Sequence, residues 1–115
     1  MSNRSCNFFH PLPDARQGEC FDTLLTRQGC RIERIVSHGQ ASPPGFWYEQ
    51  DWDEWVLLLA GEAVLEFEDA LAGRYWRMSL HVGDYVFIPR GQRHRVDFTL
   101  PDGVTIWLAV HIVAD

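Results

Sequence analysis

The sequence contains no lysine: all ten basic residues are arginine. That excludes Schiff-base catalysis on a lysine amine and phosphate binding by a P-loop, both of which need that side chain. Cysteine is scarce. Cys6, Cys20 and Cys30 are an odd number with no C-x-x-C spacing, so neither a disulfide framework nor a cysteine zinc site is expected, and the thiols read as reduced. No apolar stretch approaches the roughly 18–20 residues of a membrane helix. The first 20 residues hold no apolar run fit for the core of a signal peptide, so the expectation is a cytoplasmic protein with no membrane partner. Positive charge is also in deficit: 16 Asp and Glu against ten Arg leave a net charge of −6, which argues against nucleic acid or acidic lipid as a partner. No G-x-S-x-G occurs, so hydrolase chemistry of that type finds no support.

What is present is a globular composition, 46% hydrophobic and 23% charged over 115 residues, enough for one domain with a real core. Residues 1–115 form that single domain, with 1–18, which carry Pro11, Pro13 and Gly18, as an N-terminal arm or loop. The pattern at Glu19 to Thr26 leaves a short helix and a strand both open. From Cys30 onward the punctuation is that of an all-β chain. Arg31 to Ser37 alternates, and Ser42 to Gly45 turns, because Pro43 and Pro44 donate no ladder hydrogen bonds. Glu54 to Ala60 is an apolar run. Ala63, Leu65 and Phe67 share one face of the next strand. Trp76, Met78, Leu80 and Val82 share the apolar face of another. Tyr85 to Ile88 follows a Gly83-Asp84 turn. After a turn at Pro89 to Gln92, strict alternation places His94, Val96 and Phe98 inward and Arg93, Arg95 and Asp97 outward. Val104 to Val113 is apolar on both faces, which predicts a strand lying between two sheets or an edge paired with a second subunit; a homodimer is expected on that ground. About seven short strands with regular turns read as a sandwich or barrel.

One segment is specific. Residues 83–94, GDYVFIPRGQRH, have the form G-D-x-x-x-I-P-x-G-x-x-H and resemble the second signature motif of the cupin superfamily. The first motif of that family, a glycine, H-x-H, a glutamate and a further glycine, is similar to the stretch with Gly45, Glu54 and Gly61, with six residues between the last two. Both histidines of the H-x-H are replaced. Their places fall on Tyr48 and Gln50, or on Trp47 and Glu49 if the spacing is one residue longer. The resemblance covers residues 45–94 and implies a jelly-roll barrel, the double-stranded β-helix of a small single-domain cupin.

The resemblance also implies a divalent transition metal as cofactor, carried by His94, Glu54 and Gln50, with Tyr48 as a ligand-binding residue. Trp107 and His111 share one face of the last strand and are candidate ligand-binding residues by that alternation, with a packed histidine as the other reading of His111. An enzyme of this kind would be a metal-dependent isomerase or dioxygenase. The alternative is a metal-free cupin that binds a small molecule or serves as an interaction module, in which Glu54, Gln50 and His94 satisfy one another inside the barrel. Both stay open at this point. Either way, Glu54 and His94 should lie within direct or water-mediated reach. Three further clusters carry two readings each. Arg90, Arg93 and Arg95 clamp an anion or form a solvated face. Glu49, Asp51, Asp53 and Glu54 bind calcium or make an acidic turn. Trp47, Trp52 and Trp55 line the barrel mouth or cover a dimer contact.

Overall fold

The computed structural model describes residues 3–113 as two antiparallel sheets with no helix. The strands are β1 (Cys20–Arg27), β2 (Cys30–Ser37), β3 (Asp53–Ala60), β4 (Ala63–Asp69), β5 (Arg74–Leu80), β6 (Tyr85–Ile88), β7 (Arg93–Thr99) and β8 (Thr105–Ile112). They assemble as a five-stranded sheet, β1-β2-β8-β3-β6, facing a three-stranded sheet, β5-β4-β7. The chain crosses between the sheets after β3, β5, β6 and β7, which is the winding of a jelly roll. The undecided segment after residue 18 is a strand, because β2 offers its edge to Cys20–Arg27 and the pairing runs its whole length.

The core is where period-two apolar faces meet. Val56 and Leu58 from β3 and Trp107 from β8 face Ala63, Leu65 and Phe67 from β4, with Leu80 and Ile88 closing the ends. Phe67 stacks on Trp76 with centroids 5.4 Å apart. Two inward assignments fail. Val82 lies beyond the end of β5 and is exposed. In β7, the register to β4 slips between Val64 and Leu65, so that Val96 pairs with Leu65 but Phe98 pairs with Val64. That bulge at Asp97 inverts the alternation. Phe98 turns outward and Thr99 is buried instead.

The last strand is neither an edge nor sandwiched. β8 is the middle strand of the large sheet, hydrogen-bonded to β2 and β3. Its odd-numbered residues face the barrel and its even-numbered ones the outside. Across that outer face the register aligns one apolar row, Leu25–Ile32–Val110–Trp55–Phe87, through all five strands. The arm covers only the neighbouring region, where Arg34 Nη1 donates to the carbonyls of Phe8 and Pro11. Leu25 and Phe87 remain exposed.

Candidate functional site

The cavity is lined by residues of both sheets, and all six residues proposed from sequence reach it: Tyr48, Gln50, Glu54, His94, Trp107 and His111. Each arrives by a local rule. His94 is the second residue of β7, set by the turn at Arg90–Gly91, whose Gly91 N–H donates to Gln50 O at 2.8 Å. Tyr48 is held beside it by a two-bond bridge, Tyr48 N–H to His94 O at 2.7 Å and His94 N–H to Tyr48 O at 3.1 Å. The two rings stack at 5.4 Å. Glu54 and His111 are direct register partners on β3 and β8, so both side chains enter the same layer. The cavity has a volume of about 90 Å³, well above the roughly 10–15 Å³ that a single water requires.

His94 Nδ1 lies 3.0 Å from Gln92 O. A carbonyl only accepts, so Nδ1 carries the proton and the Nε2 lone pair is free. That Nε2 sits 3.8 Å from Glu54 Oε1, too far for a direct hydrogen bond and close enough for one atom beside them to bridge both. Burial holds His94 below the usual imidazole range. Burial, followed by the charge of Glu33, pushes the Glu54 carboxyl up to about 7, against a smaller opposing pull from Arg31. The pair is therefore a neutral imidazole facing a carboxyl near its midpoint at neutral pH. Gln50 Oε1 is buried with no partner.

His111 belongs to a different set. The Trp52 indole N–H, which can only donate, gives its hydrogen to His111 Nδ1 at 2.8 Å. The remaining proton is then on Nε2, 3.2 Å from Glu33 Oε1. Both nitrogens are engaged, so His111 has no lone pair to offer. Tyr48 is equally unavailable as a phenolate, because burial and then the charges of Glu19, Glu54 and Glu33 raise its pKa.

The donor set can be compared with what a divalent transition metal asks. Among the described residues, no three His, Cys, Asp or Glu side chains converge as an ion would require. One imidazole, one amide oxygen and a carboxyl that burial keeps partly protonated remain. Such a site holds borderline metals poorly. The residues do not fit the metal centre implied by the family resemblance.

Sequence reasoning missed Glu19, Phe21, Glu33 and Ile35, which line the cavity from β1, β2 and the residue before β1. The available signal was that Arg31, Glu33 and Ile35 share one strand face; which face is inward depends on pairing with β8, which no local pattern supplies. The three candidate clusters disperse. Arg95 bonds Glu66 and Asp97, and Arg93 pairs with Glu68 and lies over Trp47 at 5.2 Å. They make an ion-paired outer face. Asp53 Oδ1 accepts the Arg90 N–H, and Asp51 lies 3.7 Å from the Arg90 guanidinium, while Glu54 points inward. Trp47, Trp52 and Trp55 go to three separate places. Cys6, Cys20 and Cys30 are free thiols.

No protein-family model and no curated protein matches the chain. Solved structures do. A Ralstonia eutropha JMP134 protein, provisionally named a mannose-6-phosphate isomerase, is 42% identical, with 97% of this chain and 100% of that one covered and a TM-score of 0.87. A cupin superfamily protein of Desulfitobacterium hafniense DCB-2 is 18% identical over 90% of this chain and 84% of its own, with a TM-score of 0.71. HppE, solved with cobalt(II) and Tris buffer, is 14% identical over 82% and 53%, with a TM-score of 0.67. The last two identities carry the fold alone.

Proposed function

The chain belongs to the cupin superfamily, and from that premise we propose that its barrel is a metal-free receptacle for a small molecule. The ligand's polar end is held by His94 Nε2, Glu54 and Gln50 Oε1, and its apolar part rests against Val56, Leu65, Ile88 and Val96. The observation that carries this reading is the grouping of three polar atoms in one cavity, His94 Nε2 and Glu54 Oε1 3.8 Å apart beside the buried Gln50 Oε1, none of them hydrogen-bonded by another described residue. Buried polar groups are ordinarily satisfied, and those left open at a cavity mark where a ligand completes them.

The name given to the Ralstonia eutropha relative does not transfer easily. A sugar phosphate needs cations at its phosphate. No arginine lines this cavity, and the chain has no lysine. Metal analysis of protein purified without an affinity tag is expected to find well below one equivalent of any transition metal. EDTA is expected to leave the melting temperature unchanged, since only a ligand of the native state stabilises it. One bound equivalent together with a chelator-dependent drop in melting temperature would overturn the proposal.

We also propose that the outer apolar row of the large sheet covers itself with a second copy of the chain. Apolar sheet faces pack against one another about 10 Å apart. The row Leu25–Ile32–Val110–Trp55–Phe87 bears no charge, so two chains of net charge −6 meet there without like charges in contact. Twofold pairing of identical faces is the commonest closed assembly. Sedimentation velocity at micromolar concentration is expected to give a dimer for the natural chain and a monomer with unaltered circular dichroism for Phe87→Glu. A monomeric natural chain would count decisively against it.

A further inference from the structure

The imidazole and indole N–H groups of the cavity are already engaged. His94 Nδ1–H is spent on Gln92 O. Both nitrogens of His111 are occupied by Trp52 and Glu33. The Trp107 indole N–H is directed to Ser37 Oγ at 3.4 Å. The groups left facing the space are His94 Nε2, the Glu54 carboxyl and Gln50 Oε1, and among the described residues no N–H or O–H is donated to any of the three. The Tyr48 hydroxyl can turn either way. The surrounding wall adds two more carboxyls, Glu19 and Glu33, and three aromatic rings, Phe21, Tyr48 and Trp107.

Cations are missing from the same wall. An adjacent outer pocket shares Glu19, Tyr48 and Val96 with the cavity and is otherwise lined by Ala41, Ser42, Pro43 and Phe46, again one acid and no base. The guanidinium beside the site, Arg31, lies over the Trp52 ring at 5.9 Å; it is not among the lining residues, and its charge reaches Glu54 from behind the wall.

We infer that the ligand is a small organic ammonium compound, a primary amine carrying a short apolar chain. The inference rests on the reading of the barrel as a metal-free binding cavity and names the chemistry of its occupant. An –NH₃⁺ group supplies three donors and no acceptor, one for each open acceptor. Its charge answers the carboxyls, and aromatic walls attract a desolvated cation. The cavity volume of about 90 Å³ limits the occupant to a small molecule, and its short carbon chain would lie against Val56, Leu65, Ile88 and Val96. A carboxylate or phosphate of equal size would meet acceptors with acceptors and acids with an anion.

Calorimetric titration at pH 8 with n-butylammonium, 1-butanol and butyrate tests this on the whole protein. Butylammonium is expected to bind about tenfold or more tightly than 1-butanol, as hydrogen bonds to charged groups require, and butyrate not at all. Glu54→Gln keeps the shape of the side chain and is expected to remove most of the preference for butylammonium while leaving 1-butanol binding in place. Gln50→Ala provides a second variant, expected to weaken butylammonium alone, should Glu54→Gln fail to fold. If 1-butanol or butyrate binds as well as butylammonium, the ammonium assignment is wrong and the small-molecule cavity survives. If none of the three binds and zinc(II) does, both fail.

Discussion

Gly61→Ala is expected to destabilise the protein by at least about 3 kcal/mol, through backbone conformation and collision together. Gly61 has φ +83°, in the left-handed region, where an L side chain costs roughly 1–2 kcal/mol. It stands where the chain leaves β3 in the large sheet and enters β4 in the small one, with Glu62 the only other residue of the connection. A Cβ there would lie 2.7 Å from Val104 O and 2.8 Å from Thr105 Cα. Those atoms belong to the backbone that opens β8, the central strand, and no side-chain rotation relieves them. Gly45→Ala is the control. Gly45 has a similar φ of +82° but nothing within 4 Å of an added Cβ, so it carries only the conformational cost of about 1–2 kcal/mol. Chemical denaturation of both variants checks this. Equal midpoints would mean that the crossing between the sheets tolerates a side chain.

The same glycine shows why the fold was legible. Gly61 follows Glu54 after six residues, and GDYVFIPRGQRH contains a glycine turn, a strand, a second turn and an inward histidine in order. Each residue type is dictated by local geometry: a left-handed turn, a strand phase, a proline that ends pairing. Local geometry is what a sequence displays. It also placed Glu54 and His94 on facing walls, since strand phase after a fixed turn determines the side to which a residue points.

What local phase could not supply was register between distant strands. The bulge at Asp97 exists because Val96 and Phe98 both have partners on β4 while Asp97 has none, a fact of two strands and not of one. Reading β7 alone therefore turned Phe98 the wrong way. Glu33 enters the cavity because β2 pairs with β8 across Glu33↔Ala109, 76 positions away. His111 was read from its strand as a residue open to a ligand. Its nitrogens are closed by Trp52 and Glu33, two side chains distant in sequence, and only the assembled barrel reveals that His94 keeps the one free lone pair.

Stability is expected to fall as pH rises from about 4.5 to about 7, by about 3 kcal/mol attributable to Glu54 alone. The carboxyl is buried, with its pKa raised from 4.5 to about 7. Between those values the native state holds a proton that the unfolded state has lost, so raising the pH favours unfolding; below about 4.5 both states are protonated and the contribution is fully retained, and above about 7 both are ionised and the loss is complete. Other groups around the cavity titrate too. Glu19 is raised by its own burial, the His94 and His111 imidazoles are lowered, and the charges of Glu33 and Arg31 bear on Glu54 with opposite signs. The measurement is therefore a difference: unfolding free energies of the natural chain and Glu54→Gln by urea denaturation from pH 4.5 to 8. The natural chain should lose about 3 kcal/mol relative to the variant across that window, and Glu54→Gln should be the more stable of the two at pH 8. A difference that stays constant with pH would mean that Glu54 titrates as an ordinary exposed acid. A buried carboxyl that weakens the fold at neutral pH is the pattern of a site kept for binding. An ammonium ligand that pairs with the ionised form should restore most of the loss, with its largest effect above pH 7.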